Sequence, residues 1–200
     1  MTCKTHIACS TATSLVIIKP TTPKLLVLTL VGSVVGSILP DIDTYNSESK
    51  QILKKIFLTT TLTIILATLI EYKFNLGLYK YLVKSSNFNN LTLTSILFLV
   101  ISIIGSNTNH RSFMHSILAL IIFSCILLLS LPIIIVKAFT IAMLSHILLD
   151  LLNHIGVTIF FPFKKRLCLD LCDSNGLINN LLFLFGTFFI IIELIIYLSK

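Results

Sequence analysis

The sequence predicts an all-α integral membrane protein, a multi-pass bundle of about five to seven helices forming one domain over residues 1–200. Three observations predict it. Hydrophobic residues make up 56% of the chain and charged residues 12%, about half the charged share of a soluble domain. Mean hydropathy is +1.00, so the chain has too little polar surface to cover itself in water. Uncharged apolar runs recur along its length, several near the ~20 residues that a helix needs to cross a bilayer.

The runs fall at 5–18, 25–39, 56–70, 88–106, 113–136, 138–152 and 177–198, here segments A to G. Segments D, E and G are long enough to span outright, and B and C reach that length with their flanking residues. Segments A and F are short and carry ionisable groups, which suits partly buried or re-entrant helices. Pro20 and Pro23 separate A from B, because a proline pair resists continuation of a helix. Pro40 ends B, and Gly105 with Asn107 and Asn109 ends D. Pro132 falls inside E, where a membrane helix tolerates a kink. Gly156 and Pro162 open the loop after F, which carries the basic run Lys164, Lys165, Arg166. No internal repeat is visible. The apolar N-terminal stretch contains His6 and leads to no small-residue cleavage site, so a cleaved signal peptide is not expected.

Charge and cysteines narrow the function classes. The net charge of +7 is scattered over loops without a basic stripe, so no nucleic-acid partner is expected. Lys and Arg near anionic head groups account for it better, with membrane lipid as the partner. Of the 15 Lys and Arg, eight fall on one side of an alternating topology and seven on the other, so the positive-inside rule favours neither orientation. Five cysteines form no disulfide framework, and Cys168 with Cys172 lacks the two-residue gap of a zinc knuckle or redox motif.

Ionisable residues in or beside apolar spans are costly unless they are paired or hold a ligand. They occur at four places: His6; Asp41 and Asp43 in LPDIDT; His110, Arg111 and His115 in NHRSFMHS; and His146, Asp150 and His154 in SHILLDLLNH. If the spans alternate, A starts on the same face where B ends, D ends, E starts and F ends. All four places then share one face. His146 and Asp150 are four apart on an apparent helix and can chelate one ion. His110 and His115 flank a break that brings two imidazoles near one point. Either Asp41 or Asp43 can ligate, and a carboxylate pair can bridge two ions. Imidazole with carboxylate suits Zn, Fe, Mn or Ni better than Ca or Mg. Arg111, between two histidines, suits phosphate or carboxylate binding.

Each residue also has a plain reading. His6 alone is more often a structural or interfacial histidine, and Asp41 with Asp43 equally reads as a solvated helix stop. His154 reads as structural or as a neighbour of ligands, and Glu193 can reach the interface near the chain end. Both are set outside the site. Six or seven metal-type residues on one face outweigh the plain readings taken singly.

The order His6, LPDID, HR-x-x-x-HS, SH-x-x-x-D, Gly-Val, Phe-Pro and a basic run resembles the YdjM-type membrane-bound metal-dependent hydrolases, described as regulated by the LexA repressor in some members. That family is thought to be distantly similar to zinc phospholipase C and related single-strand nucleases, helical proteins with His- and Asp-bound metals. The resemblance extends from about residue 2 to about residue 170. It implies that His6, Asp41, Asp43, His110, His115, His146 and Asp150 are metal ligands or their direct neighbours, with Arg111 beside them. It also implies a bacterial inner-membrane location. The chain departs from the pattern at Thr44, where the family often has His, and at Ser112 and Met114, where Gly and Thr are usual. It departs again at His154, and at Asn179 and Asn180, where an acidic residue is expected.

These readings lead to an expected function. A divalent metal, zinc foremost, would sit at a site contributed by residues 5–170 and activate water against an ester or phosphoester bond. Asp41 or Asp43 would serve as ligand or general base, and Arg111 would stabilise developing negative charge. The substrate guessed from a site near the head groups is a lipid or lipid-linked phosphate. Two other classes compete: a transporter or ion pathway through the buried His and Asp, and a non-catalytic protein with a structural metal. A transporter is expected to show interrupted helix pairs or internal symmetry, and neither is visible.

Overall fold

Helix α1, Cys3–Ile18, turns its small and polar residues inward, burying Thr5, His6, Ser10, Ser14 and Leu15. It stops at Lys19, whose φ of 49° leaves the helical region. Helix α2, Pro23–Ile38, begins with a proline whose missing N–H costs nothing at that position. The Thr22 hydroxyl caps it, accepting from the Leu25 N–H at 3.3 Å. Pro40 tightens the end of α2 into a 3₁₀ turn, Leu39–Asp43. Helix α3 spans Phe88–Ser106, and a second 3₁₀ turn, Phe113–His115, precedes α4, Ile117–Leu128. Helices α5, Ile133–Leu151, and α6, Leu177–Leu198, complete the order. These elements come from a computed structural model that describes residues 1–44, 51, 52, 55, 73, 88–173 and 176–199. Segment C lies outside the described residues.

The protein is an all-helical membrane bundle. Among the described residues, four stretches are long and apolar enough to cross a bilayer: Pro23–Asp43, Asn89–Ser106, Ile133–Leu151 and Leu177–Leu198. Segments E and F divide elsewhere than their sequence suggests. The helix after His115 stops at Leu128, and the next starts at Ile133 with Pro132 as its N-cap rather than as a kink within one span. Proline fits that place because it has no N–H to lose. Its carbonyl receives the Ile135 and Val136 N–H groups at 3.0 and 3.4 Å. The short segment F therefore becomes a full span of 19 residues, and E a helix of 12.

Helix α5 is central. It packs closely on α2, where Gly32 and Gly36 face it, and a Cβ on Gly36 would lie 2.4 Å from the Phe139 carbonyl oxygen. Phe123, Phe139, Met114, Met143 and Ile147 fill the apolar core beside it. Helix α6 leans on α1 through Gly186, with its outer face open: Leu184 is 61% and Phe188 58% exposed. The helix is long and apolar enough for that surface to suit contact with lipid.

Candidate metal centre

Four side chains converge where the 3₁₀ turn after α2, the turn before α4 and the last two turns of α5 meet. One donor atom each from Asp41, His115, His146 and Asp150 lies within 4.8 Å of the others. His146 is fully buried on α5, and its Nδ1–H donates to the Ser37 carbonyl at 2.6 Å. That bond fixes the tautomer and turns the Nε2 lone pair toward Asp41 Oδ1 at 3.5 Å and Asp150 Oδ2 at 3.8 Å. His115 faces the same point from the opposite side, with Nδ1 buried but not hydrogen-bonded. Its Nδ1 lies 3.4 Å from Asp43 Oδ2, and its Nε2 faces Asp150 Oδ2 at 3.2 Å and Asp41 Oδ1 at 3.6 Å.

These distances test whether an ion fits. Zinc bonds to N and O of about 2.0–2.1 Å place neighbouring donors of a tetrahedron ~3.3 Å apart. The four cross-distances run from 3.2 to 3.8 Å. Nε2 of His115 and Nε2 of His146 are buried without a hydrogen-bond partner, a costly state that an ion between them would relieve. The four residues form a possible metal-binding site with two neutral and two anionic donors.

The remaining sequence candidates surround this group in different roles. His6 stacks on His146 with ring centroids 3.8 Å apart, and its Nε2 lies 3.3 Å from Asp150 Oδ1. Asp43 stands behind His115, where its carboxylate also receives the Arg111 backbone N–H at 3.0 Å. His110 sits at the edge with its side chain 40% exposed, its Nδ1 shared between Asp43 Oδ1 and Thr44 Oγ1, each at 2.8 Å. Thus His6, Asp43 and His110 touch the group without adding an atom to the four that converge. Asp150 divides its oxygens. Oδ2 faces the two imidazoles, and Oδ1 faces His6, the Met1 amino group at 3.3 Å and Arg111 Nη2 at 3.4 Å.

Arg111 adopts a left-handed backbone, φ 61°, which costs energy in a residue with a Cβ. Hydrogen bonds on both sides hold it there. Its N–H donates to Asp43, and its carbonyl accepts from the Thr158 N–H and hydroxyl, both at 3.0 Å. The guanidinium donates to the Ile155 carbonyl and points toward Asp150, while its Nε is buried and unpartnered. A cavity of about 640 Å³ opens over Asp41, Arg111 and Asp150, walled by Lys4 on α1 and by Asn179 and Asn180 in the first turn of α6.

The residues that sequence reasoning missed are mostly backbone groups. The carbonyls of Ser37 and Ile155 orient a ligand and a cation, and no side-chain pattern announces them. Asn179 did carry a signal, as half of an amide pair opening an apolar span. It is buried, and its Oδ1 accepts the Thr2 N–H at 3.2 Å, tying α6 to the start of α1.

A family model described as YdjM inner membrane protein matches residues 1–198. The chain belongs to this family. It is accordingly a multi-pass inner membrane protein of the YdjM family, as its four long apolar helices also indicate. No curated protein and no solved structure matches it.

His154 lies apart from the four donors, on the loop after α5, where its two ring nitrogens face Asp170 and Asp173. Asp170 holds its pKa above the ordinary 6.5. A raised imidazole pKa makes this contact stabilising below about pH 6.5 and lost as pH rises through the folded-state value. Replacing His154 with Ala is expected to leave bound metal unchanged by elemental analysis and to remove this loop's titration from NMR spectra. A fall in metal content would make His154 a ligand.

Proposed function

We propose that the chain is a membrane-embedded, divalent-metal-dependent hydrolase of an ester or phosphoester bond, with zinc the best-suited ion. The observation that carries this reading is the pair of buried, unpartnered Nε2 atoms on His115 and His146, which lie with donor oxygens of Asp41 and Asp150 within 4.8 Å of one another. When bound, such an ion supplies Lewis acidity and acidifies the attacking water toward neutral pH.

The chain's own residues divide the remaining tasks. Asp41 is the most open of the four, with 15% of its side chain exposed against 2% for Asp150. It borders the cavity, so it can take the proton of the attacking water as well as ligate. Asp43, closed off from solvent behind His115, acts by orienting that imidazole. Arg111 presents a fixed positive charge to the cavity where negative charge develops on the substrate, and little reorganisation is needed. His6 and the Ser37 carbonyl keep His146 in place.

Detergent-purified protein is expected to contain tightly held divalent metal and to hydrolyse a generic phosphodiester such as bis(p-nitrophenyl) phosphate. Arg111→Gln should retain the metal and lower kcat by about 10²–10³, the usual loss for one stabilising donor. A protein that binds metal firmly and turns over no ester or phosphoester probe is a structural metalloprotein instead. One that purifies without metal and gains none on reconstitution refutes the proposal.

A further inference from the structure

Two helix N-termini open onto the cavity beside the four donors. Lys4 and Thr5, in the first turn of α1, line it, as do Asn179 and Asn180 at the start of α6. The N–H groups of a first turn have no acceptor within their own helix, and they give that end a partial positive charge. Neither end has a capping side-chain hydrogen bond or an acidic residue in its first turn. The two ends are fastened side by side. Asn179 Oδ1 accepts the Thr2 N–H at 3.2 Å, and Asn179 Nδ2 donates to Thr2 Oγ1 at 3.5 Å.

Arg111 points to a ligand independently. It lines the same cavity while only 5% exposed, and its buried Nε has no hydrogen-bond partner among the described residues, a costly state for a charged donor. The charged side chains described on the cavity wall are two anions, Asp41 and Asp150, and two cations, Lys4 and Arg111. The anions belong to the metal group, where a divalent ion offsets them when bound. Lys4, Arg111 and the two helix ends are then in excess.

Resting on the hydrolase reading, we infer that the substrate is a phosphate monoester, its doubly charged phosphate held in this cavity by Arg111, Lys4 and the first turns of α1 and α6. Helix N-termini and basic side chains together suit such an anion. A neutral ester offers these groups nothing, and a diester brings one charge where the cavity presents two cations. The phosphate can belong to a soluble monoester or to a phosphatidate head group, and the chemistry that recognises it is the same.

Phenylphosphonate, a dianion that cannot be hydrolysed, is the probe, and its singly charged monomethyl ester is the control. Each is titrated calorimetrically into metal-loaded, full-length protein in phosphatidylcholine nanodiscs at about pH 8, above the second phosphate pKa of ~6. The dianion should bind about tenfold more tightly than the monoanion, equivalent to ~1.4 kcal/mol. Lys4→Met should shrink that preference by about threefold, the scale of a solvent-exposed charge, and Lys4→Arg should keep it. Asn180→Asp, which sets an anion at the α6 end, should shrink it likewise, with metal content unchanged in all three variants. Equal affinity for the two probes would overturn the inference. A preference that survives both Lys4→Met and Asn180→Asp would overturn it too, because the metal alone would then account for binding. Displacement of the probe by glycerol 3-phosphate supports a soluble monoester. Weaker probe binding in nanodiscs containing phosphatidic acid than in those with equally charged phosphatidylglycerol supports a lipid one, and failure of both overturns the inference. The hydrolase reading fails separately. A charge preference in protein that turns over no monoester leaves the phosphate site standing and removes the chemistry, whereas ester hydrolysis without that preference does the reverse.

Discussion

Asp150→Asn is expected to lower metal content and to erase half or more of the thermal stabilisation that metal confers. Asp150 is 1% exposed, held by α5, with Oδ2 directed at both imidazoles. Asparagine keeps its shape and removes the charge. Losing only a hydrogen-bond partner behind a ligand weakens metal binding about 10–100-fold, so losing a ligand's charge should cost at least tenfold. At free metal 100-fold above the wild-type Kd, linkage stabilises the fold by about 2.7 kcal/mol. A tenfold weaker variant keeps ~1.4 kcal/mol under the same conditions. The chelator-treated variant will also melt below chelator-treated wild type, because Arg111 and His6 lose a buried anion. Calorimetry with and without chelator, beside elemental analysis, checks both effects. Full occupancy with an unchanged melting shift would make Asp150 a structural carboxylate, and the metal centre would need different ligands.

The meeting of distant motifs was legible in the sequence because it depends only on how often the chain crosses the bilayer. Moving the break between α4 and α5 from about 137 to Leu129–Pro132 still left His115 just before one helix and Asp150 near the end of the next. The break itself was hidden: residues 117–136 form one apolar run, and a helix that meets lipid or protein on every side shows no periodicity to mark its end. The division of labour among the acidic residues was hidden for a different reason. Asp41 and Asp43 sit two apart in a 3₁₀ turn, where successive residues step by about 120°, so their side chains diverge. One reaches the four-donor group and the cavity, and the other goes behind His115. Sequence spacing placed both near the site, but only the turn type decides which of them meets the centre. Segment F illustrates the converse. Its His146–Asp150 spacing was readable at once, because a helix puts i and i+4 on one face whatever surrounds it.

The packing beneath the site should prove as important as the ligands, and Gly36 tests this. Gly32 and Gly36 sit four apart on α2 and face Ile135 and Phe139, four apart on α5. A Cβ at Gly36 would stand 2.4 Å from the Phe139 carbonyl oxygen and 3.0 Å from its carbonyl carbon and Cα. These are backbone atoms of a central helix and cannot swing aside, so Gly36→Val must push α2 away from α5. Small residues in membrane helices permit such close approach, and the contact is lost when they are enlarged. Overpacking of this kind costs about 1–3 kcal/mol. The shift has a second consequence, because the next residue, Ser37, supplies the carbonyl that holds His146 Nδ1 at 2.6 Å. Moving α2 lengthens that bond and frees the imidazole to rotate, so Gly36→Val should weaken metal binding although it lies outside the four donors. Val31→Ala, on the exposed face of the same helix at 51% exposure, should change stability by less than ~0.5 kcal/mol and leave the metal in place. Denaturant or thermal unfolding together with metal titration separates the two effects. If Gly36→Val loses stability but binds metal with wild-type affinity, the Ser37 carbonyl is not what orients His146. If it loses neither, α2 and α5 are not packed through these glycines.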